Sequence, residues 1–413
     1  MESIKIKTIS CLAAVCVSCL CMASQTYASE PPERYETYQG LVMAGYQGWF
    51  NTPKDGANLG WRHYGGKTGF CPGSCTVDMW PETSEYPVLY STEFRHENGD
   101  VAKTFSSHDP STVDTHFRWM EEYGIDGVFM QRFICDMKRK NIRAHFDHVL
   151  DCAMTSADKH HRAIAIMYDL SGMRSEDVDF LLEDIDGIDK KHNLHNRDKN
   201  NSYLYHNGKP LVAVWGVGFN DGRAYGLPDA AKIIKGLKNK GFSIMLGVPT
   251  YWRELREDTE NDSKVHDLIL QCDIVMPWFV GRYNESGFKD FSRNITQDLD
   301  WCNRNRVDYA PLCFPGFSWA NMKGEGSFYI PRNHGSFFKA QLDNALECGA
   351  KMIYIAMFDE IDEGTAIFKC ASKVPKAGKG TTFEPIDEDS ETDLYLRLAG
   401  DASKKLKILQ LNK

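Results

Sequence analysis

Positive charge is in short supply in this chain. Of its 413 residues 48 are Lys or Arg and 57 are Asp or Glu, giving a net charge of −9. No basic stripe interleaved with aromatics is present, so the clustered positive face that a nucleic-acid backbone requires is excluded. Long apolar runs are missing too. The sole candidate lies at the start, from about Ile9 to Ala23; it is short for a bilayer span and interrupted by Cys and Ser. No His pair stands at i, i+4, and beyond the N-terminal apolar run no second Cys pair joins Cys71 and Cys75 at zinc-ligand spacing. A Gly-rich phosphate turn is absent after the first strand-like run, where the sequence reads Gly45-Tyr46-Gln47-Gly48-Trp49. That lack disfavours a dinucleotide-binding open sheet. Neither internal repeats nor low-complexity linkers are seen. No metal and no cofactor is expected.

What is there begins with an address. Lys5 and Lys7 precede the apolar run, and a polar stretch ends in Thr26-Tyr27-Ala28. Basic, apolar and small-residue zones in that order predict a signal peptide over residues 1–28, cleaved near Ala28, and a periplasmic or secreted protein. No Leu stands three positions before Cys16, Cys19 or Cys21, so a lipid anchor is disfavoured. Cys11, Cys16, Cys19 and Cys21 leave with this leader, and nine of the 13 cysteines remain. Most sit in apolar settings, as small buried hydrophobes do. Cys71 and Cys75 flank Pro72-Gly73-Ser74 in a turn-rich loop, and an oxidising compartment predicts a disulfide between them.

From residue 41 to 358, eight apolar runs alternate with amphipathic helical patterns. The strand candidates are 41–46, 127–131, 163–168, 211–215, 243–247, 274–277, 309–314 and 352–358. Runs apolar on both faces are what a parallel sheet buried on both sides requires. Helices are punctuated by Asp109-Pro110 and Gly124, by Pro228 and Gly241, and by Gly349. Eight such units predict an α/β fold, a (β/α)₈ barrel over residues 29–370. A long loop follows the first strand, about Gln47 to His108, and residues 371–413 are expected as a C-terminal extension packed on the barrel.

Chemistry concentrates where the last strand ends. Ile353-Tyr354-Ile355-Ala356-Met357-Phe358 runs straight into Asp359-Glu360-Ile361-Asp362-Glu363. The C-terminal ends of barrel strands face the active site, so acids there read as catalytic, with Glu360 and Glu363 as the pair. Crowded carboxylates raise one another's pKa, which lets one act as acid beside an ionised partner. Glycosidic bond cleavage uses such a pair. The competing reading is a solvated acidic turn. Aromatics recur just after strands: Tyr46, Trp49 and Phe50, then Trp61, His63 and Tyr64, then Trp215, Tyr251, Trp252, Trp278 and Phe279. Their flat faces suit sugar rings, although each one singly also suits a core. Tyr168-Asp169 and Gln131-Arg132 end the third and second strands. Asp169 and Arg132 either contact sugar hydroxyls or pair with each other. His63 and His108 are further polar candidates, and the expected partner is an oligo- or polysaccharide.

Phe358-Asp359-Glu360-Ile361-Asp362-Glu363-Gly364-Thr365 resembles the phenylalanine-asparagine-glutamate-tryptophan-histidine-glutamate-glycine-threonine motif of glycoside hydrolase family 99. Ala44 to Phe50 and Tyr123 to Val128 resemble the joint family 71/99-like group. The resemblance implies a (β/α)₈ hydrolase of α-linked glycans. It implies that Glu360 is a base on the sugar 2-hydroxyl, that Glu363 is the general acid/base, and that the anomeric configuration is retained. Asp359, Ile361 and Asp362 depart from the motif and bear on sugar specificity. Two other classes stay open: an inverting α-glucanase-like enzyme in which Asp359 or Asp362 takes a role, and a non-catalytic glycan-binding barrel.

Overall fold

The computed structural model describes residues 35–324, 326–386 and 391–411. The expected leader and its cleavage site lie outside the described residues. Eight parallel strands form the core: β1 Val42–Tyr46, β2 Gly127–Phe133, β3 Ala163–Asp169, β4 Lys209–Trp215, β5 Ser243–Val248, β6 Ile274–Pro277, β7, and β8 Ile353–Ile355. Each of the first five pairs with the next in chain order, and β1 also pairs with β8. Strand β7 closes the ring in two pieces. Asp308–Tyr309 pairs with β6, and Leu312–Cys313 pairs with β8. Between them Ala310 donates to Val275 O, while Pro311 accepts from Tyr354 N. Proline has no N–H to donate, so the strand changes partner there. The fold is a closed (β/α)₈ barrel.

Inside the ring the strands are buried almost throughout, which is why they read as continuous apolar runs. Gly45 shows how tight the interior is: a Cβ there would lie 2.3 Å from the Tyr354 hydroxyl and 2.2 Å from Met357 Cε. Eight helices form the outer ring: α1 Pro110–Tyr123, α2 Lys140–Lys159, α3 Val178–His192, α4 Leu227–Asn239, α5 Lys264–Ile269, α6 Glu285–Asn305, α7 Ser336–Glu347 and α8 Leu394–Leu411. Helix α1 ends on Gly124 at φ 83°, a left-handed cap whose N–H returns to Met120 O.

Helix α8 lies within the expected C-terminal extension. It packs against α7, α1 and β1, the place of the eighth helix of the barrel, and so belongs to the ring. Asp126, just before β2, accepts from Val42 N, Ser403 Oγ and Lys407 Nζ. Gly400 lets the helix settle, because a Cβ would stand 1.7 Å from Tyr123 O. Among the described residues no helix is long and apolar enough to cross a membrane.

The Cys71–Cys75 disulfide is not formed; all nine cysteines of the described region are free thiols. Cys71 and Ser74 face each other across a tight turn, exchanging backbone hydrogen bonds of 3.0 and 2.8 Å. Cys75, one residue on, turns to the opposite side, where it is buried and its thiol approaches Val77 O. Alternation of side chains along an extended strand keeps the two sulfurs apart.

Candidate active site

After β8 the chain makes a tight acidic turn whose backbone is tied by Thr365 and Ala366 N–H groups donating to Glu360 O. Its four carboxylates serve different places. Asp359 is fully buried, and its two oxygens accept from Gln47 N and Gly48 N at 2.8 and 2.9 Å. It therefore clasps the turn after β1. Burial pushes its pKa up to about 7 against those two hydrogen bonds. Asp362 is buried behind the wall of the site and bonds His63 Nδ1 at 3.0 Å. Burial raises Asp362 to about 8 and holds His63 well below its ordinary value, with Arg62 adding to the latter. The imidazole lies flat on Trp49, with ring centroids 3.8 Å apart and planes within 4°.

Glu360 and Glu363 face a common cavity of about 310 Å³. Glu360 is 5% exposed; it accepts from Gln47 Nε2 at 2.5 Å and from the Thr365 hydroxyl. Burial, then Glu363, then Asp362 push its pKa well up. Glu363 is half-buried and is raised to about 7 by burial and then by Asp362. The Trp319 indole pulls the other way without completing a hydrogen bond of good geometry. The two glutamates titrate as a unit. The two donors on Glu360 work against that rise without cancelling it.

The rest of the cavity comes from different strand ends. Trp49 follows β1, Gln131 and Phe133 end β2, Asp169 and Ser171 end β3, Trp215 ends β4, Trp278 follows β6 and Trp319 follows β7. Tyr354 and Gln131 meet below at 3.1 Å. The indole N–H groups of Trp215 and Trp319 are buried with no hydrogen-bond partner among the described residues. Donors held in that way suit hydroxyl-rich ligands. Asp169 accepts from Ser171 N, and burial pushes its pKa up to about 6.

Of the expected substrate contacts, the structure brings Trp49, Asp169, Trp215 and Trp278 into the cavity beside both glutamates. Others are placed elsewhere. Tyr46 is fully buried between Phe358 and His116, with its hydroxyl 2.8 Å from His116 Nδ1. Tyr168 is fully buried and donates to Asp184. Trp252 is fully buried against Trp301. Asp359 is the backbone clasp described above. Burial removes all four from substrate contact. His63 stands behind Trp49, Trp61 lines a separate groove with Arg62 and Arg139, and Tyr251 lines another. The Asp169–Arg132 pair does not form, since Arg132 is held by Asp184 and Asp147 at 2.8 Å. His108 bonds His145 and is structural. Gln47, Ser171 and Trp319 were missed. Trp319 follows the seventh strand, so the rule that singled out the other aromatics reaches it; Gln47 lies in the Ala44 to Phe50 stretch that carried the resemblance, and Ser171 carries no sequence signal. Among the described residues no group of three or more His, Cys, Asp or Glu is arranged to hold a metal ion.

Residues 196–376, from before β4 past both glutamates, match the model of a domain of unknown function (DUF5010). Over 395 residues the chain is 21% identical to the glycoprotein endo-α-1,2-mannosidase of Rattus norvegicus, covering 91% of this chain and 76% of that one. The mouse (Mus musculus) glycoprotein endo-α-1,2-mannosidase is 21% identical over 401 residues, with the same coverage. The solved structure of the family 99 endo-α-mannosidase from Bacteroides thetaiotaomicron superimposes with a TM-score of 0.65 at 16% identity, covering 91% of this chain and 99% of that chain. The chain thus resembles endo-α-mannosidases along most of its length and shares its fold with the solved family 99 enzyme. A structure titled glycoside hydrolase-like protein superimposes on this chain with a TM-score of 0.54 at 12% identity, covering 90% of this chain and 96% of that one.

Proposed function

We propose that the protein is a glycoside hydrolase that cleaves α-mannosidic bonds within glycans, with Glu360 and Glu363 as its working carboxylates. The observation that carries this reading is their shared place on one cavity at the C-terminal end of β8. Glu360 is braced there by Gln47 and Thr365, and Glu363 is raised to about 7. A carboxylate kept basic by burial and aimed by two donors suits removal of a proton from the sugar 2-hydroxyl. That oxygen then attacks the anomeric carbon while Glu363 gives its proton to the leaving oxygen. Glu363 next takes a proton from water as the water opens the 1,2-anhydro ring and Glu360 returns its proton to the 2-oxygen, so both steps invert at the anomeric carbon and the net result is retention. Trp215 and Trp319 supply N–H donors to the ring hydroxyls, and Trp49 and Trp278 supply apolar faces.

A second reading rests on Asp169, a third carboxylate on the opposite wall of the same cavity with its pKa raised to about 6. There it would activate a water for inversion, with Glu363 as the acid. Proton NMR of the first anomer released from an α-mannoside decides between the two. Retention, together with loss of cleavage when the 2-hydroxyl is deleted, supports the first; inversion abolished by Asp169→Asn supports the second. Absence of hydrolysis on α-mannosides by the wild-type protein overturns both.

A further inference from the structure

Asp78, on the long loop after β1, is buried and lies outside the catalytic cavity. Its two carboxylate oxygens accept from Ala320 N and Asn321 N, both at 2.8 Å. Burial pushes its pKa up to about 6, against hydrogen bonds from Ser318, Asn321 and Ala320 and with Glu384 adding to the rise. Asp78 is therefore ionised at neutral pH, where both of its oxygens can only accept.

Those two N–H groups open the helical turn Ala320–Lys323, and the residue just before it is Trp319. On the other side of Trp319, Ser318 N donates to Glu363 O at 2.9 Å. Gly364 permits that approach: its φ is 64°, and a Cβ there would stand 2.9 Å from Ser318 N. The backbone of Trp319 is thus gripped on both sides, by the acidic turn before it and by Asp78 after it. Asp78 is itself tied to the acidic turn, since its own N–H donates to Ile361 O at 2.9 Å. A closed circuit runs from Ile361 through Asp78, Ala320 and Ser318 back to Glu363. Trp319 sits in that circuit, its indole lining the cavity beside Glu363 and drawing the acid's pKa down. Glu363 also faces Glu360 and Asp362 on its own turn, Asp169 at the end of β3, and Lys323 beyond Trp319.

We infer that Asp78 is a positioning residue of the active site: it fixes the backbone that holds the Trp319 indole beside Glu363, and it acts on that acid through the ring. The inference rests on the hydrolase reading and adds a residue to its machinery.

Asp78→Asn keeps the shape of the side chain but turns one acceptor into a donor facing a backbone N–H. Trp319 then loses its place, and a displacement of that kind should cost about ten- to a hundredfold in kcat/KM on an α-manno-oligosaccharide. The loss should be small on an activated aryl α-mannoside, whose leaving group needs little protonation by Glu363. On the oligosaccharide the alkaline limb of kcat/KM should move to higher pH, because Glu363 loses the group that draws its pKa down. Trp319→Phe should move the limb in the same direction, and the double variant should move it no further. Equal losses on both substrates, an unmoved limb, or additive shifts overturn the inference. Trp319→Phe leaves Asp78 untouched, so a limb that it fails to move overturns the inference even where Asp78→Asn does not fold. Fluorine NMR of fluorotryptophan-labelled protein reads the placement without turnover. The Trp319 resonance, identified by its absence from Trp319→Phe protein, should shift in Asp78→Asn; a resonance that stays in place rejects the grip. Wild-type protein that cleaves neither substrate would refute the hydrolase reading and leave the fluorine comparison to decide whether Asp78 places Trp319.

Discussion

The loop after β1 and the loops after β4, β6 and β7 are equally rich in aromatic residues, yet they use them in opposite ways. In the first, Phe50, Tyr64, Phe70, Trp80, Phe94 and Phe105 pack on one another with centroids 4.9 to 6.1 Å apart. They form a small core, and Trp49 alone brings an aromatic face from this loop to the cavity. In the second set Trp215, Trp278 and Trp319 come from separate strand ends and stand half-buried around the glutamates, with Trp215 and Trp278 meeting edge to face at 5.2 Å. A long excursion has to bury its own apolar surface to stay ordered, whereas a short loop on a rigid strand end is held by the barrel. Aromatic density alone therefore marks a cavity poorly; a ring on a short loop beside a strand end marks it better.

Breaking that contrast gives graded outcomes. The largest effect should come from the acids that both regions serve. Glu360→Gln and Glu363→Gln should each lose about 10²–10⁴ in kcat on a natural glycan while the thermal midpoint holds steady; near-wild-type turnover in both would refute the assignment. The β1-loop core comes next. Phe70→Ala deletes a ring packed among Tyr64, Trp80 and Phe94, which should cost about 3–5 kcal/mol in denaturant unfolding. Trp215→Ala, on the other wall, should raise KM about tenfold and move stability by less than about 1 kcal/mol. If the two exchange signatures, the division between the regions falls.

The pH dependence is a smaller effect with a definite sign. Glu363 is the acid, and its pKa is pushed up to about 7, so kcat/KM should fall as pH rises through about 7. On activated aryl glycosides, Glu363→Gln should lack that limb. Asp359, Asp362 and Glu363 all have folded pKa values raised above their ordinary ones, to about 7, 8 and 7. The folded state then holds more protons than the unfolded one between their ordinary values, near 4, and about 8. Buried histidines held below their ordinary value, such as His63, oppose this up to about pH 6.5, so stability should decline with rising pH from there to about 8, as read by thermal midpoints over that interval. A midpoint that climbs over this interval would contradict the burial of these acids. The smallest effect should be Cys71→Ser, within about 0.5 kcal/mol of wild type; thiol titration of unreduced, unfolded protein should find Cys71 and Cys75 both reactive.

The strands were legible because a parallel barrel buries both faces of each one, leaving a signal that needs no partner information. The seventh was read as one run over 309–314, but pairing alone reveals its change of partner at Pro311. The eighth helix falls in the stretch read as a C-terminal extension, because a polar stretch and an acidic run separate it from β8. At the site, Glu360 and Glu363 were legible because a strand ran directly into them. Asp359 and Asp362 carried the same signal and turned out to clasp Gln47-Gly48 and His63. A one-dimensional pattern places four acids on a turn; the direction of each side chain is set by neighbours more than 250 residues away. Tyr46 and Tyr168 were misread for the same reason, since inward and outward positions at a strand end differ by a single residue.

The junction at Asp126 has a consequence for the order in which the molecule is made. One carboxylate gathers the start of β1 at Val42, the start of β2, and Ser403 and Lys407 of the last helix. A polypeptide growing from its N-terminus reaches the first two early, but Lys407 only 281 residues after Asp126. Until then the ring lacks its closing helix, and the apolar flank formed by α7, α1 and β1 stays uncovered. The stretch near residue 403 thus acts as a clasp on the finished barrel, and ribosomes stalled short of it should carry chains that a protease digests readily.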